Sequence, residues 1–428
     1  MVSNILNNNK MNIEKLNDFM RFSIITNRLV IVPYGIGFRW CNNSCEFCYL
    51  KAAWDKKIKS VEFFYDIKNK IENTLEDIIK DLPKDIIIEL DLTGGELFCL
   101  SEEYYNVFYE LVDYIHNLCV KYNLKMHMSL SSNLLLNDNQ LDRLINLCNY
   151  GSNLNVDTDI TSSFDLWGRF KNKGAVELWW NNIVKLSETI KNKPRAEMVL
   201  LKPSIKIFLN DEDTDTLRIF YKILDNPDKC IFFFENYVPN NPDNIKYVPT
   251  NEEKIAVFKK LIDKYYGKLP LLEAFRSDYP IGISTDDDKP RYQDCSSLFY
   301  GTEPAPNWGA DIKQFDNETP LYNITNCIDR ALGIWPKSAI NNFKDKGSIL
   351  KEGTYLGNGY MCLNHLDKVN SFFLNKFGCG ACKYKQYCYK NNLRGCYIEH
   401  NFIWSDDRCW KKEVFKYMEQ KAKELNNE

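Results

Sequence analysis

Three cysteines fall within eight positions of "CNNSCEFCYL": Cys41, Cys45 and Cys48. Thiolates at this density are soft ligands, suited to iron–sulfur clusters or to zinc. A cubane [4Fe–4S] cluster is normally held by four thiolates. Three on one short loop can hold three irons and leave the fourth open to a small chelating molecule. The competing reading is a zinc site completed by a ligand elsewhere. Zinc sites usually pair one Cys-x2-Cys with a second such pair or with histidines. The four histidines, His116, His127, His365 and His400, are all remote in sequence from this loop.

A second chemical stretch is "DLTGGELF", residues 91 to 98. Glycines after a strand allow close approach to the backbone. Glu96 can accept a bond from an ammonium group. Further along, "SLSSNLL" places Ser131, Ser132 and Asn133 at a strand end, and "TDITSSFDLWGRF" places Ser163, Asp165 and Arg169 after the next strand. Arg169 is a candidate partner for a carboxylate.

The Cys41-x3-Cys45-x2-Cys48 loop resembles the defining motif of the radical S-adenosylmethionine (radical SAM) superfamily. The resemblance implies a [4Fe–4S] cluster on these three cysteines, with S-adenosylmethionine on the open iron. Reductive cleavage there would yield a 5′-deoxyadenosyl radical that abstracts a hydrogen atom. Thr93, Gly94, Gly95 and Glu96 resemble the family's GGE-type turn, which holds the amino group of S-adenosylmethionine. Ser131, Asn133, Ser163, Asp165 and Arg169 resemble segments that contact its ribose and carboxylate.

A second cysteine array closes the chain. "GCGACKYKQYCYKNNLRGC" gives Cys379-x2-Cys382-x5-Cys388, then Cys396; Cys409 follows, and "GNGYMC" gives Gly357-x4-Cys362. This resembles the SPASM extension of radical SAM enzymes, which carries auxiliary [4Fe–4S] clusters. Two departures are plain. Seven residues, rather than three, separate Cys388 from Cys396, and the cysteine expected shortly before the glycine is absent, the nearest being Cys327. By the resemblance, Cys379, Cys382, Cys388 and Cys409 form an outer cluster. Cys362, Cys396 and Cys327, with Cys295, form an inner one. Zinc remains open for the outer set, since Cys-x2-Cys plus two cysteines also makes a tetrahedral site.

The elements needed to position these groups are legible as alternation. Apolar spacing at Ile67, Ile71, Leu75, Ile78, Ile79 and Leu82 predicts a helix over 61–82. Strands are expected from Arg28, over 85–92, 125–131, 153–160, 196–201, 205–209 and 230–237. Helices are expected over 102–122, 138–148, 175–191, 213–224 and 251–265. Strands alternating with helices imply parallel βαβ units. About six units fall short of the eight that close a full barrel. The expectation is an α/β protein: a partial (β/α)6 TIM-type barrel followed by a smaller Cys-rich Fe–S domain. The runner-up is a doubly wound sheet. The expected organisation is an N-terminal extension (1–27), a barrel (28–266), an irregular connecting region (267–356) and a SPASM-like domain (357–428).

Composition narrows the setting. The chain of 428 residues carries net charge −3 and 44% hydrophobic residues, enough for a sizeable core. It shows no basic footprint of a nucleic-acid partner. No apolar run of about 20 residues spans a membrane, and the polar start lacks a secretory h-region. Fifteen cysteines without a signal segment point to a reducing compartment and metal binding; a soluble, cytoplasmic protein is expected. Family members of this kind often modify peptide or protein side chains. The resemblance thus implies a peptide or protein substrate and an electron donor such as flavodoxin or ferredoxin. Alternatives are a small-molecule or carbohydrate dehydrogenase with the same cofactors, and a non-catalytic Fe–S or zinc binding protein.

Overall fold

The computed structural model describes residues 19–23, 28–35, 37–48, 55–237, 246–265, 314–316, 319–320, 333–334, 381–384 and 409–426. Its centre is one sheet. Strands β1 (Met20–Ser23), β2 (Arg28–Ile31), β3 (Ile87–Leu92), β4 (Lys125–Ser132), β5 (Asp157–Ser163), β6 (Arg195–Leu200) and β7 (Ile231–Asn236) lie side by side in chain order. From β2 to β7 the strands are parallel. β1 joins the edge antiparallel to β2, and the short β10 (Gly333–Ile334) pairs outside it. Strands β8 (Gln314–Asp316) and β9 (Thr319–Pro320) make a separate antiparallel pair.

Each parallel strand is followed by helix: α1 (Val61–Ile79), α2 (Glu102–Tyr122), α3 (Asp138–Asn153), α4 (Lys173–Thr189), α5 (Lys202–Leu209) and α6 (Asp215–Asp225), then α7 (Asn251–Tyr265) after β7. Strand order never reverses. Right-handed crossovers therefore place the helices on a single face, as in a barrel, rather than on two as in a doubly wound sheet. No ladder joins β7 back to β2 among the described residues, so the six-stranded parallel array is open.

Alternation decides what each face carries. Ile88, Leu90, Leu92, Leu130, Ile160, Ala196 and Met198 are buried under helix residues such as Phe108, Leu111, Ile115, Trp179 and Ile183. The opposite, inner face is polar: Glu89 and Asp91 on β3, His127, Ser129 and Ser131 on β4, Asp159, Thr161 and Ser163 on β5, Arg195 and Glu197 on β6. At the N-terminal end these groups neutralise each other. Arg28 Nη1 pairs with Glu89 at 2.8 Å, and Arg195 Nη2 with Asp159 at 3.0 Å.

Most element boundaries agree with the alternation; three differ. The apolar run at 205–209, expected as a strand, is helix α5, with Pro203 in its first turn. Proline there sacrifices no helical hydrogen bond, and β6 has already filled the next ladder position. Helix α3 runs on to Asn153, so β5 starts at Asp157 rather than 153. Gly151 permits this: a Cβ there would lie 2.7 Å from Met128 Cε and 2.8 Å from Thr158 Oγ1. Within the extension 1–27, residues 20–23 form an edge strand.

The helix α8 (Trp410–Asn426) packs on α7. Trp410 stacks on Phe258 with ring centroids 5.3 Å apart, and Tyr417 Oη donates to Asp263 at 2.6 Å. Residues 381–384 lie beside it, Tyr384 stacking on Phe415 at 5.2 Å.

Candidate active site

The cysteine loop crosses the C-terminal end of the parallel strands, and two strand ends hold it. On one side stands Asn133, just past β4. Its Nδ2 donates to Asn42 Oδ1 at 2.7 Å and lies 3.4 Å from Cys41 Sγ. Its backbone N–H donates to Glu96 Oε2 at 2.5 Å. Ser132 Oγ also donates to the Glu96 carboxylate, at 3.1 and 3.2 Å, and Phe98 N–H donates at 3.1 Å. Both Glu96 oxygens are thus engaged by the chain itself. Burial nevertheless outweighs these donors and pushes the carboxyl up to about 7. In this arrangement Glu96 braces the site from beneath. Ser132, rather than Ser131, makes the contact.

The two glycines before Glu96 have a definite steric cause. Gly94 has φ +130° and Gly95 φ +47°. A Cβ on Gly94 would sit 2.6 Å from the Tyr34 carbonyl oxygen, and one on Gly95 would collide with the Trp40 carbonyl. What approaches the glycines is the chain leading into the cysteine loop. Glu96 N–H seals that contact by donating to Trp40 O at 2.9 Å.

On the other side stands the segment after β5. Arg169 Nε donates to Asp165 Oδ2 at 2.6 Å, while Asp165 Oδ1 accepts from Val199 N–H at 3.0 Å. The guanidinium lies over the Phe47 ring, 5.6 Å from its centroid. Asn43, in the middle of the loop, ties the two sides. Its N–H lies 3.4 Å from Cys41 Sγ, its Nδ2 3.5 Å from Cys45 Sγ, and the same Nδ2 donates to Arg169 O at 3.1 Å. Glu46 N–H adds a bond to Gly168 O at 2.8 Å. Ser163 Oγ donates to Glu197 Oε1 at 2.9 Å.

The thiols are buried at Cys45 and half-buried at Cys41 and Cys48. Burial pushes the Cys41 thiol up to about 12, with Glu96 adding to it and the Asn43 and Asn133 donors opposing. Burial also raises Cys45, against which the Arg169 charge acts. Such sites favour thiolates once a positive metal group arrives. Three thiols on one loop, with N–H donors aimed at two sulfurs and a cation beside one, fit the donor set of a [4Fe–4S] cluster. Among the described residues no three Cys, His, Asp or Glu side chains converge as a single-ion site.

The structure therefore brings Cys41, Cys45, Glu96, Asn133, Asp165 and Arg169 into one bonded assembly, while Ser163 bonds separately to Glu197. Thr93 and Ser131 are half-buried at the same end. Sequence reasoning missed Asn42, Asn43 and Glu197. The available signal was that both asparagines sit between Cys41 and Cys45 of the motif. Cys99 is half-buried beside the site, its Sγ donating to Glu96 O at 3.0 Å. Of the second array, Cys382 and Cys409 are half-buried near α8. Cys295, Cys327, Cys362, Cys379, Cys388 and Cys396 lie outside the described residues.

No curated protein matches the chain. Residues 36–204, from the cysteine loop through β6 into α5, match the family model of the Radical SAM superfamily.

Proposed function

We propose that the protein is a radical SAM enzyme whose substrate is a peptide or protein side chain. One observation carries the enzyme reading: Asn133 touches Cys41 with its side chain and Glu96 with its backbone, so the cysteine loop, the GGE turn and the β4 end form one bonded unit.

Cys41, Cys45 and Cys48 would hold the cluster, and the GGE turn with Ser131, Asn133, Ser163 and Arg169 would hold S-adenosylmethionine. When bound, this pair supplies a 5′-deoxyadenosyl radical by reductive cleavage of the carbon–sulfur bond. The chain's own task is placement and exclusion of water. Asn43 and Asn133 fix two of the sulfurs by N–H donation. Phe47, 7% exposed, covers Cys45 together with Leu201, Tyr237 and Val248, which keeps solvent from a reactive carbon radical. Arg169, anchored by one nitrogen on Asp165, keeps its remaining donors for a carboxylate. Asp165 is held in line by Val199 N–H.

The peptide substrate, the auxiliary clusters on the second cysteine array and a flavodoxin- or ferredoxin-type donor belong to the proposal. They are supported by the cysteine pattern over 357–409. No helix among the described residues is long and apolar enough to cross a membrane.

The test is anoxic reconstitution with iron and sulfide, reduction, and chromatography for 5′-deoxyadenosine. Formation that disappears in Cys41→Ala, Cys45→Ala and Cys48→Ala supports the reading. A reconstituted protein that binds iron at these cysteines yet never yields 5′-deoxyadenosine overturns it. Iron near four per chain indicates one cubane, and near twelve indicates three.

A further inference from the structure

Glu197 is an acid of the inner sheet face that the site so far leaves without a task. It sits on β6, directly across from Ser163 on β5. Asn133 stands one position beyond the Ser132–Ser162 pair, so Asn133, Ser163 and Glu197 lie at one level. With strands about 4.8 Å apart, Glu197 is about 10 Å along the sheet from the residue that touches Cys41. It therefore looks into the space beneath the cysteine loop.

The charges around it do not balance without a guest. Glu89 has Arg28 and Asp159 has Arg195. The Arg169 Nε is committed to Asp165. Glu197 receives one hydroxyl donor, Ser163, on Oε1, and among the described residues no lysine or arginine forms an ion pair with it. Burial raises its carboxyl, with Asp165 adding and Ser163 and Arg169 opposing. A half-buried carboxylate at the inner end of an open face, with one oxygen committed to a hydroxyl and the other not, is built to receive a donor carrying positive charge.

The rim above it suits the same guest. Val199, two residues on along the same face, packs on the cluster that contains Phe47 and Tyr237, as do Trp167 and Tyr247. Trp167 and Tyr247 lie 5.0 Å apart, Phe47 and Tyr237 6.4 Å, and Tyr237 and Tyr247 6.5 Å, by ring centroids. Aromatic faces attract desolvated cations. They also accommodate the aliphatic stem of a long basic side chain. Below Glu197 the wall continues through Thr161, Ser131 and Ser129, all half-buried hydroxyls.

We infer that the substrate presents a basic side chain, an ammonium or guanidinium on an aliphatic stem, which passes the aromatic rim and pairs with Glu197. Glu197 is then a specificity-determining residue. The inference rests on the proposed function and names the substrate class of the same site.

The experiment uses the reconstituted protein and two probes of equal stem length, lysine amide and norleucine amide, with binding followed by calorimetry and by Trp fluorescence. Wild type is expected to bind lysine amide at least tenfold more tightly. Glu197→Gln keeps an oxygen for Ser163 and is expected to remove that preference while leaving norleucine amide binding unchanged. Glu197→Asp is expected to restore part of it. Equal binding of the two probes by wild type overturns the inference and needs no variant to be folded. So does an unchanged preference in a Glu197→Gln protein of normal melting temperature. Formation of 5′-deoxyadenosine without added substrate, measured on the same sample, reports separately on the enzyme reading.

Discussion

Replacing Gly95 by alanine tests whether the GGE turn exists to let two stretches of backbone meet. At φ +47° the methyl group meets the left-handed penalty of about 1 to 2 kcal/mol. It also collides with the Trp40 carbonyl, which must move because backbone cannot rotate aside. Displacement of packed structure costs about 1 to 3 kcal/mol. The Glu96 N–H to Trp40 O bond, 2.9 Å long, is lost with it, about 1 kcal/mol more. The sum is about 3 to 6 kcal/mol. For a domain of about 150 to 250 residues this lowers Tm by roughly 6 to 24 °C. Trp40 immediately precedes Cys41, so the loop shifts too, and iron retained after reconstitution is expected to fall with Tm. Calorimetry and an iron assay on one preparation measure both. Gly174→Ala is the control: that glycine is exposed in the first turn of α4, and its added methyl would only touch Asn172 Oδ1 at 3.4 Å. It is expected to be neutral or slightly stabilising. A Gly95→Ala protein melting within about 2 °C of wild type with full iron content would refute the steric reasoning.

Other outcomes follow from the same geometry. Asn133→Ala removes bonds to Asn42, Cys41 and Leu135 N–H, about 2 to 3 kcal/mol in all; a chelator should strip iron from it faster than from wild type. Cys119→Ala and Cys148→Ala remove thiols buried in the helix layer, and iron bound per chain should not change. For the iron-free protein, the raised carboxyl of Glu96 penalises the folded state once ionised. That penalty is absent below pH 4.5, grows toward pH 7 and is constant above, reaching about 3 kcal/mol for a pKa near 7. Urea unfolding should therefore show wild type losing stability relative to Glu96→Gln between pH 5 and pH 8. A constant difference at the two pH values would contradict the burial argument.

What the sequence announced and what it concealed divide along physical lines. Helix α2 was readable to both ends because Val107, Leu111, Tyr114 and Leu118 recur at helical spacing; in the structure Asn123 takes the left-handed position that ends it. The cysteine loop and GGE turn were visible because their chemistry is local. Helix α5 was misread because a short apolar run carries no period of its own; only the pairing already completed at β6 decides it. Glu197 was invisible for a different reason. Its one bonded partner, Ser163, is remote in sequence, as are Asp165 and Arg169, whose charges act on it, and its importance arises only when β5 and β6 align in register. The meeting of Asn133 with Cys41 likewise spans 92 positions.

The docking of α8 on α7 has a bearing on how the chain comes into being. Helix α7 finishes the parallel array, yet residues 266–409 must be translated before its partner exists. Through that interval Phe258 lacks the Trp410 ring that stacks on it. The nascent protein thus has a window of stickiness built into its topology.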